Sequence, residues 1–131
     1  MGFMIYSVDN GHVPTVEYLP CSAIKPTVGM ALVLNGGNLV VASGTTKPTY
    51  ISMVEKDAAC AAGDIIPVIR ILPEMVFEVP FSVAASAVKL GNKVTIATSG
   101  AEITATTTDG VAEVVGILGT AVGDKCHVRL A

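Results

Sequence analysis

Apolar and polar residues along this chain form short runs separated by turn residues, and no long segment has the 3.6-residue period of a helix. Val, Ile and Thr dominate the runs, as is typical of pleated strands. Between two runs, Asn35-Gly36-Gly37-Asn38 predicts a hairpin turn. The predicted strands are residues 30–34, 39–42, 50–54, 65–72, 75–81, 93–98, 102–107, 112–118 and 126–130, with 57–63 a loop or a single helical turn. The pattern therefore predicts an all-β fold, a compact barrel or sandwich of about 8–10 short strands.

Residues 1–28 have a different pattern, with three prolines spaced six residues apart, Pro14, Pro20 and Pro26. Proline fixes φ and has no backbone N–H, so this stretch is a poor helix and a poor central strand, and an extended path is expected. The stretch is nevertheless too apolar for a solvated linker, so we expect it to lie against its own domain or a partner. We therefore divide the chain into an extended N-terminal arm, residues 1–28, and a β-barrel or sandwich domain, residues 29–131.

A similar order of segments occurs twice in the chain, about sixty residues apart. The first copy runs from Val28-Gly29 through Ala61-Ala62-Gly63-Asp64 to Val68-Ile69-Arg70-Ile71. The second runs from Leu90-Gly91 through Ala121-Val122-Gly123-Asp124 to His127-Val128-Arg129-Leu130. Units of this size would join in one domain more easily than they would form two, so the order is consistent with two β repeats within a single domain.

The composition and net charge of the chain argue against several classes of function. The 131 residues carry a net charge of −3 and only 8 Lys+Arg, which argues against a nucleic-acid binder, since that class needs a concentrated basic face. Hydrophobic residues make up 51% and charged residues 15%, a balance that argues against disorder. No apolar stretch approaches the roughly 18–20 residues of a membrane-spanning helix, so no membrane partner is predicted.

Three cysteines, Cys21, Cys60 and Cys126, are odd in number and form no C-x-x-C pair. We expect them to be reduced, buried and packed as small apolar residues, which fits synthesis in a reducing cytoplasm.

The residues that most often carry chemistry are dispersed. His12 follows a turn sequence, and His127 is predicted at the surface or at a sheet edge. His127 neighbours Cys126, but adjacent strand residues point to opposite faces and cannot act together on one substrate or metal. Asp64 and Asp124 each follow a glycine, where an aspartate bonds backbone N–H groups of a turn. The sequence therefore predicts no catalytic residue, no metal ligand and no cofactor.

Two further sequence patterns bear on a ligand-binding or cofactor-carrier role. Gly63-Asp64-Ile65-Ile66 is similar to strand starts in lipoyl and biotinyl carrier domains, but the chain has no Met-Lys-Met or Asp-Lys-Ala tip to hold such a cofactor. The threonines at 104 and 106–108 favour a solvated strand face over a ligand-binding hydroxyl face. An enzyme or a cofactor carrier is thus the least favoured interpretation.

Several segments in their order along the chain carry a family resemblance: Thr15-Val16-Glu17-Tyr18-Leu19-Pro20, Pro26-Thr27-Val28-Gly29-Met30-Ala31-Leu32, Gly44-Thr45-Thr46-Lys47-Pro48-Thr49-Tyr50-Ile51, Ala62-Gly63-Asp64-Ile65-Ile66-Pro67-Val68, Thr106-Thr107-Thr108-Asp109-Gly110-Val111-Ala112-Glu113-Val114 and Gly123-Asp124. In this order the chain resembles small head-decoration (capsid cement) proteins of tailed phages and prophages of Gram-positive bacteria. The resemblance covers most of the chain, and the Gly-Thr-Thr-Lys-Pro-Thr-Tyr segment is its most specific part.

The resemblance implies a compact β domain without enzymatic activity, bound outside the shell of major capsid protein. It also implies a homo-oligomer, with a trimer favoured, and a location on the capsid exterior of the virion after synthesis in the host bacterial cytoplasm. The apolar residues of the N-terminal arm become the expected contacts with the capsid or a neighbouring subunit: Phe3, Ile5, Tyr6, Val16, Tyr18 and Leu19. The alternatives are another virion structural protein, of the tail or baseplate, or a glycan-binding module on the particle.

Overall fold

The structure is a computed structural model that describes residues 2–11 and 14–131, and the prediction of an all-β chain is confirmed. His12 lies outside the described residues. The strands are β1 (Met4–Val8), β2 (Val16–Pro20), β3 (Ala31–Asn35), β4 (Asn38–Val41), β5 (Tyr50–Ser52), β6 (Ile65–Arg70), β7 (Met75–Pro80), β8 (Lys93–Val94), β9 (Ala112–Ile117) and β10 (Lys125–Arg129). A 3-10 turn, Asp9–Gly11, follows β1. Within the described ranges, no helix is long and apolar enough to cross a membrane.

The strands form two antiparallel five-stranded sheets. Sheet I has the order β2-β6-β5-β3-β4, and sheet II has the order β1-β7-β10-β9-β8. Of the two predicted architectures, this is the sandwich and not a closed barrel.

Local chemistry explains several strand ends. The hairpin between β3 and β4 turns at Gly36 and Gly37, whose φ angles of 61° and 87° are the left-handed values that a two-residue hairpin turn requires. The run predicted as a strand at 102–107 is instead an irregular partner of residues 95–97, joined to them by isolated bonds such as Ala97 N–H to Glu102 C=O at 2.9 Å. Residues 57–63 form a loop, one of the two predicted alternatives.

The N-terminal segment supplies one edge strand to each sheet. Strand β1 pairs antiparallel with β7, and β2 pairs antiparallel with β6. Proline is tolerated at sheet edges, where its missing N–H leaves no gap in a ladder. The described part of residues 1–28 therefore lies against its own domain.

The two halves of the chain repeat the same turn. Asp64 Oδ2 accepts a hydrogen bond from Ala61 N–H at 2.9 Å, and Asp124 Oδ2 accepts one from Ala121 N–H at 3.0 Å. In both turns the aspartate N–H also donates to the carbonyl of the same alanine, at 3.0 Å each time. The predicted turn role of both aspartates is confirmed.

The strands that these turns lead into pair in the same way in each half. Pro20 lies opposite Ile65 where β2 meets β6, and Pro80 lies opposite Lys125 where β7 meets β10. Just beyond, Ser22 donates N–H and Oγ to the Leu39 carbonyl, and Ser82 donates both groups to the Ile103 carbonyl. The fold therefore contains two β repeats, one centred on each sheet, with an offset of about sixty residues.

Each repeat has its own apolar core. The smaller cluster lies on sheet I and contains Cys21, Met30, Leu32, Leu39, Tyr50, Cys60, Ile66 and Val68. The larger cluster lies mainly on sheet II and also takes in Ala31, Ile51 and Ile69 of sheet I. Because residues of both sheets share the larger cluster, the repeats belong to one packed body.

The three cysteines are buried and reduced, as predicted. Burial raises the pKa of the Cys126 thiol from 9.0 to about 12, because the thiolate would lose its hydration. Burial, with a hydrogen bond to the Cys60 side chain as the second cause, raises the pKa of Cys21 to about 11.

Candidate contact surface

The exposed apolar side chains that the sequence singled out lie on the two N-terminal strands. Tyr18 is 68% exposed and Tyr6 59%, while Ile5 and Val16 are exposed by 40% and 42%. Met4, which the sequence reasoning did not select, is 49% exposed beside them. Isolated apolar residues are common on protein surfaces, but five exposed ones on two edge strands, β1 of sheet II and β2 of sheet I, make these edges candidate contact surfaces.

Phe3 does not belong to these surfaces. Its side chain is 1% exposed and packs edge-to-face on Phe77, with ring centroids 6.4 Å apart and an interplanar angle of 86°. Its backbone N–H donates to the Gly29 carbonyl at 2.8 Å. Phe3 therefore anchors the start of β1 in the larger core.

Gly29 makes that anchor possible. A Cβ at position 29 would lie 2.8 Å from the Phe3 backbone nitrogen, and the Gly29 φ of 86° is left-handed. Only glycine supplies both the conformation and the space without strain.

Leu19 is half-buried and packs against the smaller core cluster. Its neighbour Cys21 is a fully buried member of that cluster. Deleting residues 1–28 would therefore remove core side chains as well as an edge strand from each sheet.

An open apolar groove of about 230 Å³ lies between the start of β1 and sheet I. Its rim carries Met4, Ile5 and Met53, and Met53 is 43% exposed. Its floor is formed by Phe3, Ile51 and Ile69, which are buried. Sequence spacing gave no signal for Met53, because Met53 follows directly after β5 and only the fold brings it opposite β1.

Tyr6 does not line the groove and stacks on His127, with ring centroids 3.8 Å apart. His127 Nε2 is 3.0 Å from Glu78 Oε2, and Lys125 Nζ is 3.7 Å from Glu78 Oε1. His127 lies on the central strand β10, so the predicted sheet-edge position was wrong. Its side chain is partly exposed, 13%, where Tyr6 stacks on it. Cys126 is buried on the opposite face, as strand alternation requires.

The exposed edge strand β2 carries one charged residue, Glu17. Its carboxylate accepts two hydrogen bonds from Arg70, from Nε and from a terminal guanidinium nitrogen, both at 3.1 Å. Arg70 also lies over the Tyr50 ring, 5.0 Å from the centroid. The bond to Glu17 raises the pKa of Arg70, so the guanidinium stays charged and the Glu17 charge is locally compensated.

Among the residues that the structure describes, no group of three or more His, Cys, Asp or Glu side chains could hold a metal ion. In comparisons with known proteins, no protein-family model matches the chain and no curated protein matches it.

Proposed function

We propose that this protein is a phage capsid decoration (cement) protein that binds the outer surface of a shell of major capsid protein and stabilises the head. The sequence resemblance gives the class of partner. The open apolar groove beside β1 is the observation that carries the proposal, because it offers a ready recess for apolar side chains of a larger assembly.

The expected shell contact is the rim of the groove. Met4, Ile5 and Met53 are each more than one-third exposed and surround the recess, so a shell segment seated there would bury flexible apolar side chains. The buried floor beneath them is fixed by core packing, which limits the ordering cost of binding.

A protein that binds the assembled shell, but not free shell subunits, stabilises the shell by mass action. If several linked copies contact neighbouring shell subunits, each contact need only be modest, since the second binding event becomes intramolecular. The protein thus acts through adhesion and geometry.

Co-sedimentation with purified capsids lacking the protein tests this proposal. The double variant Met4→Asp/Met53→Asp places two charges on the groove rim without touching its buried floor, and we expect co-sedimentation to fall at least about tenfold. Val122→Asp is the matched control, because Val122 is 65% exposed, does not line the groove, and should bind like the wild type.

Circular dichroism should show the same fold for all three proteins. Full binding by the double variant, or equal loss by the control, would refute the groove as the shell contact. Electron microscopy that found the labelled protein on tails and not on heads would refute the decoration role itself.

A further inference from the structure

The two repeats differ at one sheet edge. In sheet II, β1 covers the outer edge of β7 by pairing along Val76 and Glu78. The equivalent positions of sheet I are Val16 and Tyr18 on β2, because β2 pairs with β6 as β7 pairs with β10. Directly after β2, Cys21 and Ser22 meet Leu39 of β4, but no described strand pairs with the outer edge at Val16 and Tyr18.

The position of Pro67 shows which backbone N–H and C=O groups of β2 point outward at that edge. The Pro67 carbonyl accepts from Met53 N–H at 3.0 Å, so it points away from β2, and proline has no N–H to offer. Tyr18 lies opposite Pro67, so this pair is a non-hydrogen-bonded one. The N–H and C=O groups of Tyr18 therefore point outward, and the two-residue period places those of Val16 beside them.

The other sheet edges are protected. The register of β1 shifts between Ile5 and Ser7, a bulge that disturbs its outer edge. The outer edge of β4 is met by Cys21 and Ser22, and Ser22 N–H donates to the Leu39 carbonyl at 2.9 Å. Strand β8 is only two residues long, and the residues that follow it, 95–97, pair with residues 102–106. Within the described chain, β2 is thus the one regular edge left open, and an open regular edge is a template for another strand.

We propose that two copies of this protein join along β2, antiparallel about a two-fold axis through Glu17. This inference does not rest on the proposed function.

A strand paired antiparallel with itself is self-complementary in this register. Val16 of one copy faces Tyr18 of its partner, and all four outward groups of each strand find a partner, giving four hydrogen bonds between the chains. Val16 and Tyr18 also lie on one face of the strand, 42% and 68% exposed, so their side chains pair across the contact. An isologous contact of this kind closes after two copies.

The charge of Glu17 determines whether this contact can form, because the two Glu17 residues face each other at the two-fold axis. Like charges directly opposite are destabilising. In this chain each carboxylate is already held by both guanidinium bonds of Arg70, so the pairing brings together two compensated groups. The second copy, and not a charged partner, is therefore the occupant that the edge fits.

Sedimentation equilibrium of the full chain from about 1 to about 100 µM tests the contact. We expect an oligomer whose mass is halved by Val16→Pro, because proline removes an outward donor on each copy and weakens association about thirtyfold or more. Among the described residues, none accepts a hydrogen bond from the outward N–H of Val16, so the monomer should keep its fold. Arg70→Gln should weaken association without touching the edge, and Glu17→Gln should not.

Cross-linking tests the register. Glu17→Cys places two thiols in a non-hydrogen-bonded pair with Cα atoms about 4.5 Å apart, within disulfide range. Oxidised glutathione should then link two chains and release two reduced glutathione molecules, much faster than for the exposed control Val122→Cys. A mass unchanged by Val16→Pro, including a trimer, or Glu17→Cys linking no faster than the control, would overturn the proposal.

Discussion

Replacing Phe3 with alanine should destabilise the whole domain, although Phe3 is only the third residue and precedes the edge strand β1. The ring is 1% exposed and belongs to the larger core cluster with Phe77. Truncating a buried phenylalanine costs about 3–5 kcal/mol through lost burial and the cavity left behind. The groove beside Phe3 lets neighbours and water enter part of that cavity, so we expect the lower end, about 3 kcal/mol. The bond from residue 3 N–H to the Gly29 carbonyl uses the backbone and survives the substitution.

Urea unfolding followed by far-ultraviolet circular dichroism measures the effect, since the chain has no Trp to report by fluorescence. With a slope of about 1.5–2 kcal/mol/M for a domain of this size, the midpoint should fall by about 1.5–2 M. The melting temperature should fall by about 10 °C.

Tyr6→Ala is the matched comparison, because Tyr6 lies on the same strand and is 59% exposed. We expect it to cost less than about 1 kcal/mol, the value of an exposed ring contact. If Phe3→Ala changed stability by less than about 0.5 kcal/mol, the anchoring of β1 in the core would be refuted. Equal losses for both variants would also refute it.

Of three further predictions, two compare equivalent positions of the two repeats and the third concerns the buried Cys126. Gly29→Ala should cost more than Gly91→Ala, because both have left-handed φ but only the Cβ at 29 meets a backbone atom within 3 Å; thermal unfolding of both variants checks this. Asp64→Ala and Asp124→Ala should each cost about 1 kcal/mol, measured by urea unfolding, since each removes the same single turn bond. Cys126 has a pKa raised on folding, so its contribution is complete below about pH 9 and is lost as pH rises towards 12; Cys126→Ala should flatten the alkaline decline in unfolding free energy.

The strands of residues 29–131 could be read from sequence because their apolar runs are bounded by Gly, Asn and Asp turns. The hairpin at Gly36-Gly37 is the clearest case, since only left-handed residues fit its turn. The irregular pairing of 95–97 with 102–106 was not predictable, because an isolated bridge has the same local pattern as a strand.

The contact surface was only partly predictable. The sequence identified Val16 and Tyr18 as apolar residues needing a neighbour, but exposure depends on which strand face meets the core. Phe3 shows the limit, because its burial is set by Phe77, which lies far along the chain. The local sequence pattern does not predict such a long-range contact.

The repeat explains why equivalent faces of the two sheets differ. One face is packed against the core, whereas the other is partly exposed to solvent. In sheet I, Ile69 pairs with Ile51 and both are buried against the larger cluster. At the equivalent place in sheet II, Arg129 pairs with Glu113 and both remain partly exposed. The two units have therefore diverged where one packs on the other, and the single N-terminal strand can cover the outer edge of only one of them. An uncovered β2 edge follows from a duplicated unit that has one β1, which makes that edge the natural place for contact between molecules.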